Sequence, residues 1–359
     1  MKIDFIIGSL TGGGAERVLV LLANYFVENG HTVRIITFYD GDAYELDSRI
    51  SRVRLHGGKI KNHKIRSLKN LIGFYRIKDN RPNVIISFIT QTNLVSIIVA
   101  KIYDINIIVS EHNSYLRAQH PKYLTNFTRT FLYPLANYLT VLTSFDIEYY
   151  KKKKVNVVVM PNPCSFAPIV EHNKTKDKTI LAIGNLDRYH HKGFDNLLTL
   201  IAPVLHNHKD WTLKIIGGGE KGLKFLTKLV NQHNIQDQVI FTGFRKDVNQ
   251  IMQRSEVFIL SSRYEGLPMV LLEAMSQGMA CIAYDCKTGP ADIIENGKNG
   301  LLIEDQNSEA MQKELSKLLH DNALRNKLRN HAVQSLNRFS MENIGQQWEQ
   351  IFSKLPIRE

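Results

Sequence analysis

Cysteine is scarce in this chain: 359 residues contain 3, at Cys164, Cys281 and Cys286. That number is too small and too odd for a disulfide scaffold, and the spacing fits no zinc site. Each reads as a buried thiol in a reduced compartment. Long apolar runs are also lacking. None reaches the ~18 residues of a membrane-spanning helix, and the nearest stretch, Val84 to Ala100, is broken by Gln91, Thr92 and Asn93. The opening Met1-Lys2-Ile3-Asp4 enters a strand pattern at once, so no signal peptide is expected. No tandem repeat is visible. The composition is that of a globular protein, long enough for two domains with separate cores.

Acidic residues are missing from one region in particular. Arg49 to Arg81 holds eleven Lys and Arg and one acid, Asp79. Residues 1–165 carry 22 Lys and Arg against 12 Asp and Glu, a net of +10, and the remainder carries 24 against 22, a net of +2. The first half therefore holds nearly all of the excess charge, which implies an anionic partner there. Leu68, Leu71, Ile72 and Tyr75 recur at helical spacing and are expected to face a core. Arg66, Lys69 and Arg76 share another face, with Lys64 close by. This basic face is expected to lie on an anionic membrane or to grip a lipid diphosphate. No aromatic platform is interleaved with these charges, so nucleic acid is not expected as a partner.

The stretch richest in chemistry is Arg263 to Met275. The apolar run Val257 to Leu260 reads as a buried strand. Glu265 follows it on a loop, Gly266-Leu267-Pro268 is a turn, and Val270 to Met275 suits the first turns of a helix. Proline fits a helix start because its missing N–H has no partner there. Glu273 then falls about two turns into the helix. The backbone N–H groups of Gly266, Leu267, Met269 and Val270 suit a phosphate at a helix N-terminus, and the carboxylates of Glu265 and Glu273 suit sugar hydroxyls on either side. Near the start of the chain, the strand Ile3 to Gly8 leads into Thr11-Gly12-Gly13-Gly14-Ala15-Glu16-Arg17 and a helix from Val18. Strand, glycine loop and helix open a Rossmann-like unit whose amides can approach a phosphate.

Glu265 and Glu273 in this setting resemble the E-x7-E motif of the retaining family 4 glycosyltransferases, and the resemblance covers nearly the whole chain. It implies the α/β GT-B fold, two Rossmann-like domains facing across a cleft. The N-terminal acceptor-binding domain would span 1–165, the nucleotide-sugar-binding domain 166–340, and the helix at 341–359 would cross back. Gly13 and Gly14 match the family's G-G-x-E loop, which faces the donor diphosphate. His112, in Ser110-Glu111-His112-Asn113 at a strand end, matches a histidine beside the transferring sugar; Glu111 is a candidate to orient its ring. Lys192-Gly193 matches the lysine of a cationic clamp on the diphosphate. The clamp's usual arginine is replaced by Asn185, and Arg188 is the candidate to supply that charge. Phe244 falls at the nucleobase.

The resemblance implies glycosyl transfer from a nucleotide sugar, UDP-linked by expectation, with His112 and Glu265 as catalytic residues. It implies no metal or other cofactor. Asp40-Gly41-Asp42 reads as turn chemistry rather than a metal motif, and the adjacent His190 and His191 point apart. S-E-H-N, the basic helix around Arg66 and P-N-P-C are similar to bacterial enzymes that extend polyprenyl-diphosphate-linked sugars. Lys64, Arg66 and Lys69 then become acceptor-binding candidates. The enzyme is expected in the cytoplasm, peripheral on the inner face of the cell membrane. Two readings compete. A UDP-N-acetylglucosamine 2-epimerase on the same fold would turn over donor without acceptor. A non-catalytic polyanion-binding protein would show tight, salt-sensitive binding to nucleic acid.

Overall fold

A computed structural model describes residues 1–117, 121–169 and 176–357. The chain forms two compact units, Met1–Pro163 with Phe339–Glu359, and Cys164–Arg338. The polar stretch Glu171 to Lys178, whose composition suits a linker, lies mostly outside the described residues.

The first unit runs β1 (Lys2–Ile7), α1 (Gly14–Glu28), β2 (Thr32–Thr37), β3 (Ser51–Arg54), α2 (His63–Arg76), β4 (Val84–Phe88), α3 (Thr90–Ile102), β5 (Asn106–Ser110), α4 (Lys122–Phe127), β6 (Tyr138–Val141), α5 (Ile147–Lys151) and β7 (Val157–Val159). Its seven-stranded sheet has the order β3-β2-β1-β4-β5-β6-β7, and every pairing is parallel. A parallel sheet needs helical crossovers, which cover its strands. Hence β4 and β5 are buried at every residue and read in sequence as unbroken apolar runs. The order reverses between β1 and β4. Loops leaving the C-terminal ends of such neighbours part to opposite sides and leave a crevice.

The second unit repeats the plan: β8 (Asp177–Ile183), α6 (Tyr189–Lys192), α7 (Phe194–Asn207), β9 (Thr212–Ile216), α8 (Glu220–Gln232), β10 (Val239–Phe241), α9 (Val248–Arg254), β11 (Ser255–Leu260), α10 (Met269–Ser276), β12 (Ala280–Asp285), α11 (Pro290–Ile293), β13 (Leu301–Glu304), α12 (Ser308–His320) and α13 (Asn322–Ser335). The sheet order is β10-β9-β8-β11-β12-β13. Here the reversal falls between β8 and β11, the strands that precede Lys192 and Glu265. The last helix, α14 (Met341–Phe352), packs on α1 of the first unit.

The segment after Pro121 is not one regular helix: α4 is followed by a wider π turn at Thr128–Leu132 and a 3-10 turn at Tyr133–Leu135. Pro134 within it has no N–H to continue the ladder. Strands β3 and β13 were not anticipated: β3 is a half-exposed Ser-Arg-Val-Arg edge strand, and the apolar part of β13 is only Leu301-Leu302-Ile303.

Candidate active site

In the second unit the loop after β8 and the loop after β11 meet side by side. The β8 loop is stopped by Asn185, whose side chain accepts from the Asp187 N–H at 2.9 Å and starts a 3-10 turn over Leu186–Arg188. Asn185 thus supplies a cap where the resemblance expected an arginine. Gly193 then takes φ 68°, and a Cβ there would stand 1.9 Å from the Ser261 carbonyl oxygen. Only glycine lets the two backbones approach this closely.

That approach brings Lys192 to Glu265. The ammonium donates to Glu265 Oε1 at 2.8 Å, and Ser262 Oγ donates to the same oxygen at 2.6 Å. The two side chains are only 16% and 11% exposed. Burial pushes the Glu265 carboxyl up, but the Lys192 charge and the hydrogen bonds outweigh it, so the group lies below its ordinary value and stays ionised. His191 stacks on Tyr264 at 3.9 Å. Its Nε2 lies 2.8 Å from the Tyr264 carbonyl and its Nδ1 accepts from Arg188. A ring that donates from one nitrogen and accepts at the other is neutral, and burial lowers its pKa to about 4. Arg188 is thereby held against His191, whose ring is within electrostatic reach of both Glu265 and Lys192. His190 turns instead to Asp195, which Arg263 braces at 2.7 Å, so the adjacent histidines do point apart.

The Glu-Gly-Leu-Pro turn is fixed from behind. Thr288 Oγ1 donates to the Glu265 carbonyl. Gly289, at φ 96°, packs so closely that a Cβ would lie 2.3 Å from the Gly266 carbonyl oxygen. Pro268 precedes α10, and Gly266, Met269 and Val270 keep partial exposure at the helix start, while the Leu267 side chain is buried. Glu273 is the fifth residue of α10, little more than one turn in rather than two. It is 2% exposed and accepts from Ser165 Oγ. Phe244 stands on the loop after β10, 79% exposed.

The first unit holds the other candidates. His112 follows β5, stacked on Phe88 at 4.8 Å with Nε2 3.1 Å from Ser110 Oγ. Thr140 also donates to Ser110 Oγ at 2.8 Å, so Ser110 ties the ring to β6. Burial pulls its pKa down to about 4, against a weaker upward pull from Asn162. Glu111 does not orient this ring. Its Oε1 accepts from Thr90 at 2.6 Å and from Tyr133, and Arg129 lies 3.7 Å from its other oxygen.

The crevice at the β1/β4 reversal is a cavity of about 220 Å³. It is walled by Ile7, Phe38, Ile89 and Val95, with Glu16, Lys64, Ser67 and Thr92 among its polar groups. Gly13 and Gly14 sit beside it at the start of α1, but their loop is not an open phosphate nest. The Glu16 carboxylate already accepts from the Gly12 N–H at 2.6 Å and the Gly13 N–H at 3.1 Å. The three basic candidates of α2 also part company. Lys64 and Ser67 face the cavity one helical turn apart, whereas Arg66 turns to His63 at 2.6 Å and Lys69 is exposed. The pair Asp40 and Asp42 is taken up locally, Asp40 by His56 at 2.8 Å and Asp42 by Arg52 and Arg54 at 3.1 and 2.6 Å.

Sequence reasoning missed Ser262, Thr288 and Ser165. Ser262 had a weak signal, since it belongs to the Ser261-Ser262 pair that follows the apolar run of β11. The others come from distant segments and had none.

Two carboxylates on one strand-turn-helix segment, a buried lysine and a helix start at a topological switch point are the parts of a sugar-phosphate site on a doubly wound fold. Comparison with known proteins identifies the class. Residues 12–165 match the model described as Glycosyltransferase Family 4, and residues 167–335 match Glycosyl transferases group 1. The chain is 32% identical, over 99% of both chains, to the Campylobacter jejuni GalNAc-alpha-(1->4)-GalNAc-alpha-(1->3)-diNAcBac-PP-undecaprenol alpha-1,4-N-acetyl-D-galactosaminyltransferase. Its fold is similar to that of TarM, with a TM-score of 0.82, 15% identity and coverage of 98% and 99% of the two chains. It is also similar to Anabaena HepE in complex with UDP and glucose, with a TM-score of 0.80, 17% identity and coverage of 99% and 100%. The chain belongs to the family 4 glycosyltransferases. It has the GT-B fold and is a hexosyltransferase.

Proposed function

We propose that this enzyme moves a hexose or N-acetylhexosamine, with retention of configuration, from a UDP-sugar to a polyprenyl-diphosphate-linked glycan. The product would serve surface polysaccharide or oligosaccharide synthesis at the inner face of the cell membrane. The observation that carries this reading is the buried Lys192–Glu265 pair, with Glu265 on the loop before α10 and Arg188 held against the neighbouring His191. Lys192 and Arg188 would take the negative charge of the departing UDP. Glu265 would hold the sugar hydroxyls, with Glu273 on the ribose and the Phe244 ring against the base. The C1–O bond to the diphosphate breaks as the acceptor oxygen bonds to C1 on the same face. The acceptor proton passes to a diphosphate oxygen. His112, neutral and packed on Phe88, would lie near the reacting carbon as a hydrogen-bonding group rather than a base.

The acceptor reading draws on the basic first unit and on the C. jejuni relative, whose printed name specifies an undecaprenyl-diphosphate glycan. The cavity with Lys64 and Glu16 suits a sugar of that acceptor, with apolar walls for a ring face or an acetamido methyl. UDP draws on the ligand of HepE.

The test incubates the enzyme with a panel of nucleotide sugars and a polyprenyl-diphosphate sugar, reads product mass, and assigns the anomeric configuration by NMR. A mass gain of one sugar in the donor's anomeric form is expected. Conversion of donor in the absence of acceptor would replace this reading with an epimerase. Because Lys192 and Arg188 are assigned the charge that a divalent cation would otherwise supply, transfer is expected to survive EDTA; a rate restored only by added metal would refute that assignment.

A further inference from the structure

The segment after Pro121 turns a row of large apolar side chains to solvent. Tyr123, Phe127, Phe131 and Leu135 are spaced four apart and are 76%, 48%, 63% and 45% exposed. The Phe127 and Phe131 rings pair at 5.4 Å. Four-residue spacing drifts around an ordinary helix. The π turn at Thr128–Leu132 rotates less per residue, so it keeps the stripe on one line. The inward face is mixed: Tyr133 is buried and Leu132 packs against the core, but polar groups lie beside them. Thr125, Thr128 and Arg129 are buried; Thr128 Oγ1 donates to the Leu124 carbonyl at 2.8 Å, and Arg129 donates to the Tyr115 carbonyl at 3.0 Å and lies beside Glu111. A helix on a water-facing surface turns its polar side chains outward instead. Single exposed apolar residues are ordinary, but a contiguous aromatic stripe marks a contact surface.

Charge identifies the kind of contact. No Asp or Glu occurs between Glu111 and Asp146, and Asp146 is buried. Lys122 opens α4, next to Tyr123. The lysines that end α5 stand beside the stripe: Lys153 Nζ donates to Thr130 Oγ1 at 2.9 Å and lies 5.0 Å from the Tyr149 ring centroid. Lys151, Lys152 and Lys154 around it are exposed. Tyr149 stacks on Tyr115, which stacks on Phe145, itself 42% exposed. Aromatic rings at the level of the headgroups with lysines along one margin are the composition of a surface that lies on a bilayer. A protein partner of equal area would leave the lysine run without a counter-charge unless it were itself acidic.

We propose that the stripe Tyr123, Phe127, Phe131 and Leu135, with Lys122 and the lysines of 151–154, docks this protein onto an anionic lipid bilayer. The inference rests on the proposed membrane-linked acceptor for its biological sense, but not for its test. Full-length protein is sedimented with phosphatidylglycerol vesicles and with phosphatidylcholine vesicles, without donor or acceptor. Wild type is expected to bind the anionic vesicles more tightly. Phe127→Ser with Phe131→Ser is expected to lower that binding by at least about tenfold, since two rings no longer leave water. Lys151→Gln with Lys152→Gln and Lys154→Gln is expected to remove the preference for anionic lipid. Thermal melts check that the variants fold, as exposed positions should allow. The proposal is overturned if the double serine variant binds vesicles like wild type, or if Lys64, Arg66 and Lys69 variants abolish binding while the stripe variants do not. It is equally overturned if wild type ignores vesicles and the serine variant instead dissociates an oligomer in sedimentation velocity. None of these outcomes depends on sugar transfer.

Discussion

Lys192 and Glu265 are unequal partners, because removing either one leaves a different group behind. In Lys192→Met the Glu265 carboxylate stays buried with only Ser262 to donate to it, and an uncompensated buried charge costs roughly 3–5 kcal/mol. In Glu265→Gln an uncharged amide still accepts from Lys192 and Ser262, so the loss of stability is expected to be smaller. The double variant is expected to recover most of the melting temperature lost in Lys192→Met. All three are expected to lose transfer by about a hundredfold or more, the scale of a removed transition-state donor. A double variant that regains its rate along with its stability would make the pair merely structural. His112 makes a prediction in pH. Its folded pKa of about 4 lies below its ordinary 6.5, so between those values the unfolded chain holds a proton that the folded chain refuses. Stability from this group is therefore full above pH 6.5 and falls as pH drops towards 4, by up to about 3 kcal/mol. Chemical denaturation across that window, wild type against His112→Gln, reads the difference. A ring that titrates near 6.5 in the native protein by NMR would contradict the geometry around Ser110 and Phe88.

At the scale of elements, how much was legible depended on whether the signal was local. The strand, turn and helix around Glu265 were legible because Val257–Leu260, Pro268 and the apolar run of α10 each announce themselves within a few residues. The glycine loop was legible as a loop, but not the fact that Glu16 folds back onto its amides, which is a capping choice made by one side chain. Helix α2 was legible, yet Lys64 and Arg66 were grouped although two residues apart means opposite sides of a helix. Strand β3 escaped because it is half-exposed with arginine at every second residue, and β13 because its apolar run is only three residues long. The contact of α1 with α14 joins residues some 320 apart and has no local signal; only the resemblance implied that the last helix crosses back. It makes a sharp prediction. A Cβ on Gly345 would stand 2.1 Å from the ring of Tyr25, itself 8% exposed. Alanine gains about 1 kcal/mol of helix propensity over glycine, but forcing a buried ring aside costs about 1–3 kcal/mol. Gly345→Ala is thus expected to lower the melting temperature by a few degrees. Restoring space with Tyr25→Leu in the same chain should reverse part of the loss. A stabilised Gly345→Ala would mean that the two helices do not touch there.

At the scale of the whole molecule, the chain leaves its first unit after Pro163 and returns to it at Phe339, so that unit is completed only after the second has been made. The return is not decorative. Ile344, Trp348, Ile351 and Phe352 of α14 are all buried, with 6% exposure at most. Phe352 meets Phe26 at 5.2 Å, Glu349 meets His31 at 2.8 Å, and the Pro356 carbonyl accepts from Asn106 at 2.9 Å. Burying four large apolar side chains is worth roughly 6–12 kcal/mol, as much as the roughly 5–15 kcal/mol that holds a typical domain folded. A chain ending at Arg338 is therefore expected to have an unfolded or molten first unit beside an intact second one. The 2 tryptophans separate these cases, because Trp211 is buried in the core of the second unit and Trp348 lies on α14. In full-length Trp211→Phe the emission follows the first unit alone, and in Trp348→Phe it follows the second. The truncated chain should retain the Trp211 transition at nearly its full-length midpoint while circular dichroism shows the helices of the first unit lost. If the truncated chain melted in full, with both units' signal present, α14 would be an ornament on a first unit that folds without it.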